Sequence, residues 1–357
     1  QVRQSVLAAA FRGDLTAAWR AAHPDTEPAS VLLDRIRAER RHRWIEATAQ
    51  TKTERAASRA TKKGQPWDDA AFAARLAKER TKAEQTYAPP APVEASDLPE
   101  LPKGWCWTNV DEVSVRVSVG HVGKTTSHYC ETGGIPFLRS QNVRPGYLDL
   151  ENIRQITTSF HEYLSKSQLL PYDLLVVRVG ANRGDTWYVP EGIGPLNCAN
   201  IVFARPVLHL ANFIAQYCQS PQGRSRLLGY SRGGAQGVIN TSSVAELPIP
   251  LPPLAEQARI VELVSAALED IAALEATVEE QRAALATLHQ ATLAKAFRGE
   301  LVPTDAALAC ERGELVATPD VPEPAEREEA PPPIVFEKDA AGRFVRVDAA
   351  GQTRLDL

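Results

Sequence analysis

The feature that most constrains this sequence is an internal repeat. Residues 3–15 (Arg-Gln-Ser-Val-Leu-Ala-Ala-Ala-Phe-Arg-Gly-Asp-Leu) align without gaps on residues 289–301 (His-Gln-Ala-Thr-Leu-Ala-Lys-Ala-Phe-Arg-Gly-Glu-Leu). Eight of the thirteen positions are identical, and Asp14 and Glu300 form a conservative pair. Each copy carries apolar residues at helical spacing, then an aromatic residue (Phe11, Phe297), then Arg-Gly, where glycine supplies a helix stop. Two helix ends built alike imply a pseudo-twofold arrangement of two long helices as antiparallel partners. In that arrangement most of the first helix, and a domain ahead of it, are expected upstream of Gln1.

The second of these helices is legible along its whole length. After the stiff lead-in Pro248-Ile-Pro-Leu-Pro-Pro253, the positions Val264, Ala267, Ile271, Leu274, Val278, Gln281, Leu285 and Leu288 recur by alternating threes and fours. A helix from about 254 to 297 would be roughly 60 Å long at 1.5 Å per residue. So narrow an apolar seam needs a partner helix, whereas a surface helix of a globular core carries a wider stripe. Val264, Ile271, Leu274, Val278, Leu285 and Leu288, with Phe11 and Phe297, are therefore expected to pack against a partner helix.

Between the repeats the texture changes twice. Residues 1–48 read as helix ends with a new helix from about Pro28, and residues 49–97 as a polar helical linker, broken at Lys62-Lys63-Gly64 and closed by the Pro-rich run Ala88–Pro102. From 98 to 250 short β-type runs appear: Val113–Val119, Ile135–Leu138, Leu174–Val179, Trp187–Val189 and Asn200–Phe203, each bounded by Gly, Pro, Asn or Asp. Residues 213–219 and 223–228 read as helices. The expected fold class is α+β: a mixed α/β domain with short irregular strands, flanked by long helices that pair as an antiparallel coiled coil. Residues 251–302 form the second long helix. The acidic, Pro-rich tail 303–357 is expected to be largely disordered, with a small hairpin around Val335-Phe336 and Phe344–Val347.

Composition narrows the function classes. No apolar run approaches the roughly 18 to 20 residues needed to span a bilayer. The five scattered cysteines form no C-x-x-C pair, as expected of a reduced, cytoplasmic protein without a zinc site. The chain has no methionine, not even at its start. Net charge is −4, but Lys+Arg against Asp+Glu runs 17 to 11 over residues 1–88 and 13 to 11 over 98–250, then 4 to 8 over 251–300 and 6 to 12 beyond. The acidity thus lies in the C-terminal third, and the first two-thirds are free to face a polyanion.

The sequence carries no complete catalytic signature. Ser118-Val-Gly-His-Val-Gly-Lys124-Thr125 approximates a phosphate-binding loop, but Ser118 stands where the first glycine belongs and Ile135-Pro136 follows where a helix is required. No dinucleotide fingerprint follows a strand, and His121, His128, His161 and His209 stand singly, without metal-ligand spacing. Neither a catalytic grouping nor a cofactor or metal site is expected.

The segments Gly229–Asn240 and Glu246–Ile260, the latter containing Pro-Leu-Pro-Pro-Leu-Ala-Glu-Gln257, resemble the closing region of Type I restriction-modification specificity subunits. Leu101-Pro-Lys-Gly-Trp105 resembles that family's domain opening, and Gly133–Val143 its first conserved strand and loop. Tyr172–Gly180 resembles a further strand, with Tyr172 where glycine is common, and the repeated Ala-Phe-Arg-Gly-acid-Leu ends resemble the conserved regions. The resemblance covers about residues 1–48 and 98–302. It implies a target-recognition domain at 98–250 that reads half of a split double-stranded DNA sequence. The paired helices would set the spacing. Modification (methyltransferase) subunits dock on such a subunit, and a restriction (translocase/nuclease) subunit joins through the complex. The chain itself would be no enzyme.

The residues offer such a reader three donor/acceptor loops. Arg139, Ser140, Gln141, Asn142 and Arg144 lie at a strand end; Arg178, Asn182 and Arg183 form a second cluster, and Arg232, Gln236 and Asn240 a third. Arg can read guanine, and Asn and Gln can read adenine bidentately. Lys124 and Thr125 are placed to hold a phosphate. Two other readings stay open from the residues: a coiled-coil scaffold whose central domain binds protein, and an NTPase using Lys124.

Overall fold

The two copies of the repeat end their helices in the same backbone geometry in the computed structural model. Helix α1 (Val2–Arg12) stops at Gly13, at φ 80°, whose N–H donates to Ala10 O at 3.0 Å while Asp14 N donates to Ala9 O at 2.9 Å. The last helix of the repeat stops at Gly299, at φ 74°, with Gly299 N to Ala296 O at 3.0 Å and Glu300 N to Lys295 O at 2.9 Å. The left-handed backbone requires glycine there, and the paired bonds satisfy orphan carbonyls. The acid of the motif anchors the preceding arginine in both copies. Arg12 Nε donates to Asp14 at 2.8 Å, and Arg298 Nε to Glu300 at 2.7 Å.

The structure describes residues 1–65, 67–229, 237–302, 305–313, 335–338, 344–348 and 351–353. They fall into two compact units, Gln1–Thr277 and Val278–Leu357. In the first, α2 (Ala17–Ala22) leads into α3 (Ala29–Lys62), which folds back on α4 (Asp69–Thr86). Asp68 caps α4 by accepting from Ala71 N at 2.7 Å. Ala49, Thr53 and Ala83 are buried in this hairpin, and Arg80–Glu46 and Arg41–Glu84 bridge it at 2.6 and 3.0 Å. The stretch read as a polar helical linker, 49–97, thus includes one arm and the turn of a packed helical hairpin. The boundary expected at 48 falls inside one continuous helix, because the small residues at 49 and 83 let two polar helices pack.

The central part contains β1 (Cys106–Asn109), β2 (Ser114–Val119), β3 (Tyr129–Cys130), β4 (Ile135–Leu138), β5 (Val143–Arg144), β6 (Tyr147–Leu148), β7 (Gln155–Ile156) and α5 (Thr158–Tyr163). It continues with β8 (Gln168–Leu169), β9 (Leu174–Val177), β10 (Thr186–Tyr188), β11 (Leu196–Cys198), β12 (Ile201–Pro206), α6 (Ala211–Gln219), α7 (Pro221–Gly229), α8 (Thr241–Ala245) and β13 (Pro248–Leu251). One antiparallel sheet has the order β10-β9-β12-β2; a second, β3-β7-β4-β11-β8, is antiparallel except for β4 against β11. The Pro-rich lead-in is itself a strand, with β13 antiparallel to β1 in the register Cys106–Leu251.

Helix α9 (Leu254–Phe297) starts directly after β13. Its first turns enter the main core: Ile260 and Val264 are fully buried with Leu7, Phe11, Leu32, Ile36, Phe213, Tyr217 and Ile249. The flanking helices and the central domain therefore share the main core, while two smaller clusters, around Leu175 and Phe203 and around Phe137 and Phe160, lie wholly within residues 98–250. Helix α1 runs antiparallel to α9, since Arg3 pairs with Glu275 at 2.6 Å while Thr16 donates to Glu256 at 2.7 Å. The fold class is thus α+β, with small irregular sheets held between long helices.

The side chains expected on the helix seam divide sharply. Val264 packs into the core and Ile271 is half-buried, but Leu274, Val278, Leu285 and Leu288 are 48–66 % exposed and Phe297 is 90 % exposed. Phe11 packs elsewhere than expected: it meets Phe213 and Tyr217 edge-on, at 5.3 Å between ring centroids, and so belongs to the socket made by α6. The second unit carries α10 (Asp305–Glu311) and a three-stranded antiparallel sheet of β14 (Val335–Lys338), β15 (Phe344–Asp348) and β16 (Gly351–Thr353). Residues 314–334 lie outside the described residues.

Candidate nucleic-acid interface

The order β10-β9-β12-β2 brings three chain segments to one sheet end. Val177, Ile201 and Val119 terminate neighbouring strands there. Just beyond, Gly120 N donates to Ile201 O and His121 N to Cys198 O, both at 2.8 Å. Gly120 and Gly123 have no positive φ. Gly120 is required by crowding: a Cβ there would lie 2.6 Å from the Cys198 carbonyl oxygen. Strand β4 delivers its following loop to the same place, because Ala199 N donates to Leu138 O at 2.9 Å.

Four segments converge as a result: 120–125, 139–144, 178–184 and 237–240. The last is tied in by Ile239 N donating to Arg178 O at 3.1 Å and by the Arg183 guanidinium donating to Gly237 O. Arg232 and Gln236 lie outside the described residues. Lys124 and Gln141 are exposed; Ser140, Arg139, Arg144, Arg178, Asn182 and Arg183 are half-buried. Among the described residues no carboxylate pairs with Lys124, Arg139, Arg144 or Arg178, and Nε of Arg139 and of Arg178 is buried without a hydrogen-bond partner. Buried guanidinium atoms without protein partners are uncommon.

Three expected contact residues are occupied within the loops. Asn142 is 1 % exposed; its Oδ1 accepts from Arg139 N and its Nδ2 donates to Asp149 O, both at 2.9 Å, so it shapes the loop rather than presenting an amide outward. Asn240 caps α8, accepting from Ser243 N at 2.7 Å. Thr125 donates to the Tyr129 hydroxyl at 2.8 Å. Residue type alone makes both asparagines candidates, yet short polar side chains at loop ends are often taken by the backbone. No α-helix follows Lys124: a single 3-10 turn, Thr126–His128, does, so the amide cradle of a nucleotide loop is not built.

Residue-type reasoning missed the node that ties these loops' domain to the helices. Glu256 is fully buried and accepts from Thr16 Oγ1, from the Arg20 guanidinium and, at 2.9 Å, from Trp105 Nε1. Gln257 donates to Pro252 O at 2.8 Å. The Leu-Ala-Glu-Gln junction and the Leu-Pro-Lys-Gly-Trp opening are thus two halves of one contact. Tyr172, at φ 66°, adopts the left-handed backbone that accounts for glycine at such a position, and its ring stacks with Tyr188 at 6.2 Å.

Donor-rich loops thus meet at one sheet end of a domain whose core is shared with the flanking helices. Residues 116–281 match the family described as Type I restriction modification DNA specificity domain, and the chain is similar to Type I restriction enzyme specificity subunits. It is 25 % identical over 207 residues to the Type I restriction enzyme EcoKI specificity subunit of Escherichia coli K12, covering 57 % of this chain and 44 % of that one. It is 30 % identical over 176 residues to the EcoBI specificity subunit of Escherichia coli, covering 47 % and 36 %. The chain therefore spans less than half the length of these relatives. Among solved structures, the HsdS subunit from Thermoanaerobacter tengcongensis aligns with TM-score 0.38 and 24 % identity over 76 % of this chain and 56 % of that one. A chain solved for the complex assembly and conformational transition of the type I R-M system aligns with TM-score 0.46 and 23 % identity, over 76 % and 57 %.

Proposed function

We propose that this chain recognises a short double-stranded DNA sequence within a Type I restriction-modification complex and has no chemistry of its own. The observation that carries this reading is the convergence of the 120–125, 139–144, 178–184 and 237–240 loops at one sheet end, in a domain of the specificity family. Lys124 takes a backbone phosphate. Gln141, Arg144, Arg178 and Asn182 face base edges, where amide and guanidinium groups discriminate adenine and guanine. Arg139 joins this set, and Arg183 and Asn142 hold the loops in that presentation. Arg232 and Gln236, outside the described residues, are candidates by residue type alone.

Methylation and cleavage belong to partners in this reading: modification subunits docked on the chain, and a restriction subunit reached through the complex. The exposed seam from Leu274 to Leu288 takes a partner helix, because four large apolar residues at heptad spacing gain little from water. No described helix is long and apolar enough to cross a membrane, and the cytoplasm, where DNA and reduced thiols occur together, is the proposed location. Titration of the chain with its modification subunit onto duplexes tests the proposal. Affinity should fall steeply with salt and prefer one short sequence, whereas equal affinity for all duplexes at every salt concentration would end it.

A further inference from the structure

A groove of about 1010 Å³ lies on the first unit, away from the loops described above. One wall is α3 from Trp44 to Lys62; the other is formed by Val115 and Arg116 of β2, residues 165–170 and Arg205. Its lining holds eight cationic side chains and one carboxylate, Glu54. Arg43 is neutralised by Glu39 at 2.5 Å and Arg205 by Asp173 at 2.7 Å. The other six, Lys52, Arg55, Arg59, Lys62, Arg116 and Lys166, have no carboxylate within ion-pair distance among the described residues.

Such an accumulation of like charge costs stability unless something anionic answers it. Burial, with Arg205 and Arg55 nearby, pushes the Arg116 guanidinium below its ordinary value, and Asp173 offsets part of that. The same side chain donates to Lys166 O at 2.8 Å, which fixes it in the groove wall. Lys52, Arg55, Arg59 and Lys62 recur every three or four residues on one face of α3. They form a row about 15 Å long at 1.5 Å per residue. A duplex strand carries a phosphate about every 3.4 Å of axis, so the row runs beside about four phosphates. Thr48, Thr51, Ser58 and Ser165 put hydroxyl donors between the cations, the residue types that bind phosphate oxygens.

We infer that this groove is a second DNA contact, a sequence-independent track for one phosphate backbone, formed by α3 against the edge of the recognition domain. Helix α3 lies outside residues 116–281, the part that matches the specificity family. The track shares with the proposed function only the identity of the ligand. It supplies affinity and orientation, and the loops supply the choice of sequence.

The test is the full chain carrying Lys52→Gln, Arg55→Gln, Arg59→Gln and Lys62→Gln together, with circular dichroism to verify folding. Binding to a mixed-sequence duplex should weaken at least tenfold in low salt, and the slope of log K against log salt should fall by about 3 to 4, at about 0.9 per lost contact. The charge-conserving set Lys52→Arg, Arg55→Lys, Arg59→Lys and Lys62→Arg should restore both. Poly-glutamate at equal charge should not displace the duplex. An unchanged affinity and slope in the glutamine variant would overturn the inference, as would displacement by poly-glutamate, which would make the groove a site for acidic protein. If the chain shows no sequence preference but the glutamine variant still lowers the slope, the track stands and the sequence-reading proposal falls.

Discussion

Trp105 Nε1 donates to Glu256 at 2.9 Å, joining the opening of the recognition domain to the start of the long helix 151 residues later in the chain. The same carboxylate accepts from Thr16 and Arg20, immediately after the first helix end of the repeat. One buried anion therefore fixes three segments that must meet if the sheet is to sit between the helices. Phe11 adds an apolar anchor beside it, 4 % exposed between Phe213 and Tyr217.

Removing that anion strands its donors. Glu256→Ala should destabilise the chain by about 3 kcal/mol in urea unfolding, the lower end for breaking a buried pair because Arg20 retains some access to water. A cost under about 1 kcal/mol would show that the node does not hold the segments together.

The two repeat copies should differ in what their aromatic residue contributes. Phe11→Ala opens a cavity in the core and should cost about 3 to 5 kcal/mol. Phe297→Ala, at a position 90 % exposed, should fall within about 0.5 kcal/mol of the parent in the isolated chain. Equal effects in chemical denaturation would contradict the different environments found for Phe11 and Phe297.

The loop residues should separate by kind. Gln141→Ala should reduce the preference for the recognised sequence by about 1 to 3 kcal/mol at one base step. Lys124→Gln should weaken every duplex alike and lower the salt slope by about 1. Competition binding with single-base variants of the duplex reads both, and a Lys124→Gln variant that changes sequence preference would reverse the assignment.

Thiol chemistry reports on the shared core. Burial pushes the Cys106 thiol up to about 11, with Arg37 opposing this and Glu112 adding to it. A raised thiol pKa favours the neutral form, so at about pH 8 Cys106 carries little thiolate and should alkylate far more slowly than the same residue in urea. Its reactivity should rise only as pH approaches about 11, and peptide mapping after iodoacetamide at about pH 8 and about pH 10 measures it. Alkylation at the lower pH as fast as in the unfolded chain would show that Cys106 is not enclosed.

Much of this architecture is written locally. The helix stops at Gly13 and Gly299, the α9 heptads and the β2, β4, β9 and β12 runs are short-range patterns, and the chain realises them with boundaries shifted by a few residues at most. What is not legible depends on long-range pairing. The α3–α4 hairpin hides Ala49 against a polar helix, the strand β13 looks like a Pro-rich linker until β1 is beside it, and Glu256 reads as one more helix acid until Thr16, Arg20 and Trp105 surround it. The candidate loops are legible as donor-rich sequence, but their convergence is not, because strand order alone brings 120–125 and 178–184 together. Residue type misplaces Asn142 and Asn240, whose amides serve the backbone.

Selection of bound duplexes from a randomised pool by the chain with its modification subunit, followed by sequencing, asks directly whether these loops read a DNA sequence. Enrichment of one short motif, lost in a Gln141→Ala and Arg144→Ala double variant that still binds DNA, is the predicted result. A bound pool with the same composition as the input would contradict it.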